Sequence, residues 1–342
     1  MAKRIGKRTV VLESDVAVSS FASAVGPKES GGPLAKWFDV CSEDEFLGEE
    51  SFEKAESKLQ QLAVKTALSK QNLSEQDCDL IFAGDLLNQC IGSAYGLRDF
   101  GIPFVGLYGA CSTMALSLIM ATMSVESGTS ERSVAVTSSH FCSSERQFRF
   151  PLEYGGQRPP TAQWTVTGSG AVVVEKTTDH IKRKISVKAF TVGKIVDLNV
   201  TDMNNMGAAM APAAADTIAA FLSDSSTKPS DYDLIVTGDL GFVGSKLLKD
   251  LLYEQGVDLF NHNDCGMMIF DRKRQDVHSG GSGCGCSASV LCSYILKKME
   301  AGELKNVLFC ATGALMSPTA SMQGESIPSI AHLIYLSAEN QQ

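Results

Sequence analysis

Cys111 has the surroundings that point most directly to chemistry. It sits in Gly109-Ala110-Cys111-Ser112, between an apolar run and a long uncharged helical pattern. A thiol on such a strand-to-helix turn has a helix N-terminus beneath it, where unpaired N–H groups and the helix dipole favour thiolate and attract anions. That setting suits a nucleophile for acyl chemistry or a seat for a carboxylate; the alternative is a buried thiol packed as a small hydrophobe. A second turn, Gly280-Gly281-Ser282-Gly283-Cys284-Gly285-Cys286, is dense in glycine. Its backbone can approach a ligand closely, or pack closely on a neighbouring helix. No Gly-Lys-Ser/Thr follows it, so it is not a phosphate loop. Asp85 and Asp239 end two matching apolar runs, at the edge where α/β sites gather. Either they cap the next helix or they join the site, and Asp85, in the half that carries Cys111, is the stronger candidate for the site. Of the five histidines, His140 follows the fourth strand of the first half on the side where the site should lie, His278 precedes the second turn, and His180, His262 and His332 lie elsewhere; each reads first as a hydrogen-bonded structural or surface residue.

The elements that must position these residues come in two sets. DCDLIFAGDL (77–86) recurs as DYDLIVTGDL (231–240), and an internal repeat decides the fold before any local motif does. Helical patterns at 55–73 and 208–222 precede the copies. Glycine-cysteine turns at 109 and 283 follow, each leading into a β-rich run, SVAVTSS (133–139) and NVLFCAT (306–312). The reading is an α/β protein of two duplicated βαβαβαββ halves, residues 1–179 and 180–342. Strands are expected at 9–12, 80–83, 104–107, 134–137 and 171–175, then at 185–191, 234–237, 267–270, 307–311 and 330–336. Two inserts break the symmetry. Residues 26–51 read as a surface loop, and 141–166, rich in aromatics, Arg, Gly and Pro, as an ordered packed loop, a lid or a dimer contact.

Composition narrows the class. A 342-residue chain with 44% hydrophobic and 20% charged residues is a folded globular protein. Its net charge of −9 excludes a broad nucleic-acid footprint, though not a local anion site. The ten cysteines show no disulfide or zinc spacing beyond one C-x-C pair, so reduced thiols and no metal centre are expected. Glu13 and Asp15 interrupt the apolar stretch that a signal peptide would need. Residues 101–125 carry no charge over a length that could span a bilayer, but Pro103, Gly106 and Gly109 break it, and the repeat makes it a buried strand, turn and helix.

With the duplication and the cysteine turn in place, the chain resembles the thiolase superfamily, which is built from two such halves in an αβαβα stack with its catalytic cysteine at the first half's turn. Thr167-Gly168-Ser169-Gly170-Ala171 is similar to a glycine-rich run of the ketoacyl-synthase branch. GLYGACSTM (106–114), FPLEYGGQRPPTAQWTVTGSGA (150–171), VHSGGSGCGCSA (277–288) and TGALMSPT (312–319) more closely resemble the AD family of stage V sporulation proteins of endospore-forming bacteria. That resemblance implies binding of dipicolinic acid (pyridine-2,6-dicarboxylate), alone or as its calcium chelate, for uptake into the developing spore. It implies a peripheral place at the forespore inner membrane, beside membrane-spanning proteins of the same sporulation set, and no transmembrane segment of its own. The thiolase resemblance implies a homodimer through the strand at 104–107. No cofactor and no nucleic acid enter.

Condensing enzymes of this fold need a second-half His and a second His or Asn to polarise the thioester. Where the synthase His would stand, the chain reads Val236-Thr237-Gly238-Asp239, and Cys284 takes the place of the Asn. The expectation is a binding protein without catalysis, the other reading being a degenerate acyl-thioester enzyme using Cys111. The candidate ligand-binding set is Cys111, Asp85, Tyr108, Ser112, His140, Arg158, Thr237, Cys284 and Met316. Arg146 and Arg149 are further anion partners, and Trp164 and Met114 further walls for a flat ring.

Overall fold

The structure is a computed structural model that describes residues 2–148, 158–177 and 184–339. Ten strands form its frame. In the first half they are β1 (Thr9–Val25), β2 (Leu80–Gly84), β3 (Phe104–Gly106), β4 (Arg132–Ser139) and β5 (Gly168–Lys176). In the second they are β6 (Lys184–Thr191), β7 (Leu234–Thr237), β8 (His262–Asp264), β9 (Asn306–Ala314) and β10 (Ser329–Glu339). Their order across the sheet is β8-β7-β9-β10-β6-β1-β5-β4-β2-β3. Read outward from the centre, both halves run first, fifth, fourth, second, third: the duplication is a property of the topology. The first strands of the halves pair antiparallel, with Thr9 opposite Thr191 and their hydroxyls 2.7 Å apart. In each half the second strand lies parallel to the third and fourth.

The helices used below are α1 (Phe52–Ser69), α2 (Ile91–Leu97), α3 (Thr113–Glu126), α4 (Phe141–Phe148), α5 (Met206–Ser225), α6 (Gly241–Tyr253), α7 (Cys265–Ile269) and α8 (Cys284–Val290). Helices α3 and α8 lie between the two halves, α8 buried throughout and α3 buried except along a Leu116–Met120–Met123 edge; α3 touches strands of both halves and α8 packs on β4 and β5 of the other half. A helix in that position has no polar face to spare, which is why 101–125 carries no charge. On the outer faces, α1 covers the first half and α5 the second, giving an αβαβα stack. Helix α5 is long and apolar enough to cross a bilayer, yet it supplies the second half's core through Met210, Ile218 and Phe221.

The repeated phrase explains itself atom by atom. Asp77 and Asp231 accept the N–H groups of Ser74 and Lys228, each closing a one-turn helix. Asp79 accepts the N–H groups of Glu131 and Arg132, and Asp233 those of Lys305 and Asn306. Each aspartate therefore ties the second strand of its half to the start of the fourth.

Two sequence expectations change. The third strand of the second half is His262–Asp264, not 267–270, which lies largely in α7. Its apolar run Cys265-Gly266-Met267-Met268-Ile269 reads equally as strand or helix; Asp264 decides for helix by capping the Met267 N–H. Residues 26–51 are no free surface loop. Leu34 and Phe38 join the main core, and buried Glu29 accepts the Thr167 N–H at 3.0 Å. In the second insert, α4 and Trp164–Thr165 are packed, the latter pairing with Gly281–Ser282. Residues 149–157, including Arg149, lie outside the described residues, as do His180 and the expected boundary between the halves.

Candidate functional site

Cys111 stands where the two glycine-rich turns meet. Ala110 takes φ 49° to make the sharp entrance to α3. The turn then uses up its own donors: Ser112 N–H bonds to Gly109 C=O at 3.1 Å and Thr113 N–H to Ala110 C=O at 3.2 Å. The Ser112 hydroxyl also points back, donating to Gly109 C=O at 2.6 Å. The expected cradle of unpaired amides is thus closed at these two positions. From the second half, Gly313 packs so tightly on the turn that a Cβ there would lie 2.4 Å from Gly109 O.

The thiol's neighbour is Asp239, the copy that sequence reasoning ranked second. Its carboxylate accepts the Gly283 N–H and the Thr312 hydroxyl, each at 2.8 Å, and faces the Cys111 thiol. Burial pushes the Asp239 carboxyl up to about 6. Burial, with the negative charge of Asp239 beside it, pushes the Cys111 thiol well above its ordinary value. Against the expectation from sequence, the helix terminus does not acidify this thiol: desolvation and a facing carboxylate outweigh the helix dipole. Cys284 lies next to Cys111 in a small cluster with Leu86 and Phe148, its thiol donating to Ser138 C=O at 2.9 Å.

A cavity opens from this cluster, with about 40 Å³ of enclosed room inside about 570 Å³ of space when its mouth is counted. Cys111, Leu86, Phe148 and Met316 give it apolar walls, and Ser144, Gln163, Thr165, Asn204 and Ser282 give it polar ones. Glu145 also faces it. Tyr108 is half-exposed in an adjoining groove that shares Phe148 and Met316 with the cavity.

A family profile described as stage V sporulation protein AD matches residues 6–337. The chain belongs to the stage V sporulation protein AD family. Stage V sporulation protein AD of Bacillus subtilis (strain 168) is 48% identical over 331 residues, covering 96% of each chain. Among solved structures, human mitochondrial 3-ketoacyl-CoA thiolase aligns over 96% of this chain and 99% of its own with TM-score 0.59 and 12% identity. The 3-oxoacyl-acyl-carrier-protein synthase III of Aquifex aeolicus aligns over 94% and 99% with TM-score 0.55 and 13% identity. At such identities the likeness is one of fold: this sporulation family is built on the thiolase architecture.

The structure brings together only part of the candidate set. Cys111, Cys284 and Met316 converge, with Tyr108 nearby. Asp85 is turned to α2, where it accepts the N–H groups of Leu87 and Ser93 and the Ser93 hydroxyl at 2.6–2.9 Å, so this copy is the one that caps. Thr237 donates to Asp264 at 2.6 Å and sits 2.9 Å from His262 Nε2, away from the cavity. His140 is buried and fixed: Nδ1 accepts from Cys142 N–H, leaving Nε2 to donate to Glu45 C=O at 2.9 Å, and burial lowers its basicity. Among the described residues, no histidine lines the cavity. Arg158 lies over the stacked rings of Phe141 and Trp164 and pairs with Glu145 at 3.3 Å, one residue removed from the cavity. Arg146 pairs with Glu53 at 2.5 Å, and Met114 is core. Gln163, Thr165 and Ser282 were missed because nothing local marks them; only the short ladder pairing Trp164–Thr165 with Gly281–Ser282 carries them to the site.

Proposed function

We propose that this family member is a non-catalytic binding protein for dipicolinic acid, free or as its calcium chelate, and that it assists uptake of the acid into the developing spore. In this reading it works as a homodimer at the forespore inner membrane, peripherally, beside membrane-spanning proteins of the same sporulation set. The observation that carries the non-catalytic reading is the Cys111–Asp239 pair. Acyl transfer needs the thiol's proton to pass to a base. Here the group facing the thiol is a buried carboxylate, a weak base, and among the described residues no histidine lines the cavity to take the proton. What remains is a cavity with apolar walls for a flat ring and hydroxyl and amide groups for its carboxyls. The enclosed room is smaller than the about 150 Å³ in which a benzene ring is held, so Phe148 or Met316 must turn aside to admit the acid. The dimer reading draws on the β3 edge, where Phe104, Tyr95 and Tyr108 are 40%, 57% and 46% exposed on one margin of the sheet.

The second reading, an acyl-thioester enzyme using Cys111, is favoured by the fold and by the position of the thiol at the first turn. Incubation with acetyl-CoA and longer acyl-CoAs, followed by intact mass measurement, separates the two. The proposal expects no adduct. An adduct on Cys111 that is absent from Cys111→Ala would establish the enzyme.

A further inference from the structure

Gln163 sets a requirement on whatever fills the cavity. Its side-chain amide donates to two backbone carbonyls, Asp239 C=O at 2.7 Å and Gly281 C=O at 2.8 Å. Turning the amide over would set its oxygen against both carbonyl oxygens, so the orientation is fixed by the network. The remaining polar atom, Oε1, is buried and has no partner among the described residues, and Gln163 lines the cavity at 6% exposure. Ser144, 3% exposed and also lining the cavity, has a hydroxyl in the same condition. A hydroxyl can turn to suit a donor or an acceptor; a glutamine oxygen can only accept.

Pyridine-2,6-dicarboxylate at neutral pH has lost both carboxyl protons, and its ring nitrogen and carboxylate oxygens are all acceptors. Set against Gln163 Oε1 it would meet repulsion. The charges around the cavity oppose the dianion as well. Asp239 lies behind Gln163, Glu145 faces the cavity with Arg158 paired to it, and no Lys, Arg or His lines it among the described residues. We infer that the cavity takes the acid in a singly protonated form, with an O–H or ring N–H donating to Gln163 Oε1, so that binding draws a proton from solution. The inference rests on the reading of this cavity as the dipicolinic acid site and narrows it, selecting the free, singly protonated acid over the calcium chelate. One proton passes from buffer to ligand, and no covalent bond to the protein forms.

The experiment is calorimetry on the full chain near pH 7 in two buffers of different ionisation heat, with calcium chelated. The titrants are pyridine-2,6-dicarboxylate and pyridine-2,6-dicarboxamide, which is uncharged and carries its own N–H donors. The dicarboxylate is expected to take up about one proton per ligand, with affinity falling about tenfold per pH unit as pH rises. The dicarboxamide is expected to bind with no proton uptake, and Gln163→Leu to weaken it about tenfold or more. Loss of the uptake in Asp239→Asn or Glu145→Gln, with dicarboxylate binding retained, would place the proton on that carboxyl and overturn the inference. Dicarboxylate binding without proton uptake, with calcium chelated or restored, would overturn it while leaving the cavity's role intact. If neither titrant binds, the inference and the cavity's role fall together. Should Gln163→Leu not fold, the two titrants on the unmodified chain decide.

Discussion

At Cys111, position and chemistry part company. The thiol occupies the turn where this architecture places a nucleophile, but burial, and Asp239 beside it, keep its proton on. Alkylation by iodoacetamide at pH 7.5, followed by mass spectrometry, should be at least about tenfold slower at Cys111 than for free cysteine, since only thiolate reacts. Asp239→Asn removes the facing charge and should speed it. Alkylation of the unmodified chain at the rate of free cysteine would contradict this account. The choice between Asp85 and Asp239 was beyond local sequence. Both end the same phrase, DLIxxGDL, and only the chain that follows separates them. Leu87 and Ser93 return to cap onto Asp85, whereas Asp239 is left to Gly283 and Thr312, which come from distant segments.

At the scale of elements, the close contact between β9 and the Cys111 turn carries its own prediction. Gly313→Ala puts a Cβ against the Gly109 carbonyl and should cost about 1–3 kcal/mol of stability, measured by urea unfolding. It should weaken ligand binding as well, because the turn must shift. Stability equal to the unmodified chain would show that the turn is looser than described. The duplicated strands and both central helices were legible because each is a contiguous apolar run bounded by Gly, Pro or Asp, and because the aspartates of the repeat do one job twice. The third strand of the second half was not, since β8 is three polar residues, His262-Asn263-Asp264, paired on one side only. The cavity's polar wall was illegible for a different reason: Ser144, Gln163 and Ser282 are ordinary residues gathered by pairing between the second insert and the second half.

At the scale of the molecule, buried carboxyls shape the response to pH. Burial raises Glu29 and Asp264 to about 7 each and raises Glu56, which also has Asp85 beside it. The folded chain then holds protons that the unfolded chain has released, so stability declines as pH rises through this range. His140, His262 and His332, held neutral by burial, act in the opposite sense only below about pH 6.5, the ordinary histidine value. The thermal midpoint should therefore fall by several degrees between pH 6.5 and 8.5 in scanning calorimetry; a flat or rising midpoint would contradict the burial of these groups. The exposed margin at β3 predicts a twofold dimer at micromolar concentration by sedimentation, with Tyr95→Glu shifting it towards monomer; a monomeric unmodified chain would remove the dimer from the proposal. The central claim is that dipicolinic acid binds in the cavity beside Cys111, and calorimetry of the acid with Cys111→Ala and Cys111→Trp tests it most directly. The account predicts binding that Cys111→Ala weakens only modestly and that Cys111→Trp, folded by circular dichroism, abolishes by filling the cavity. Full affinity in Cys111→Trp would contradict it and place the site elsewhere.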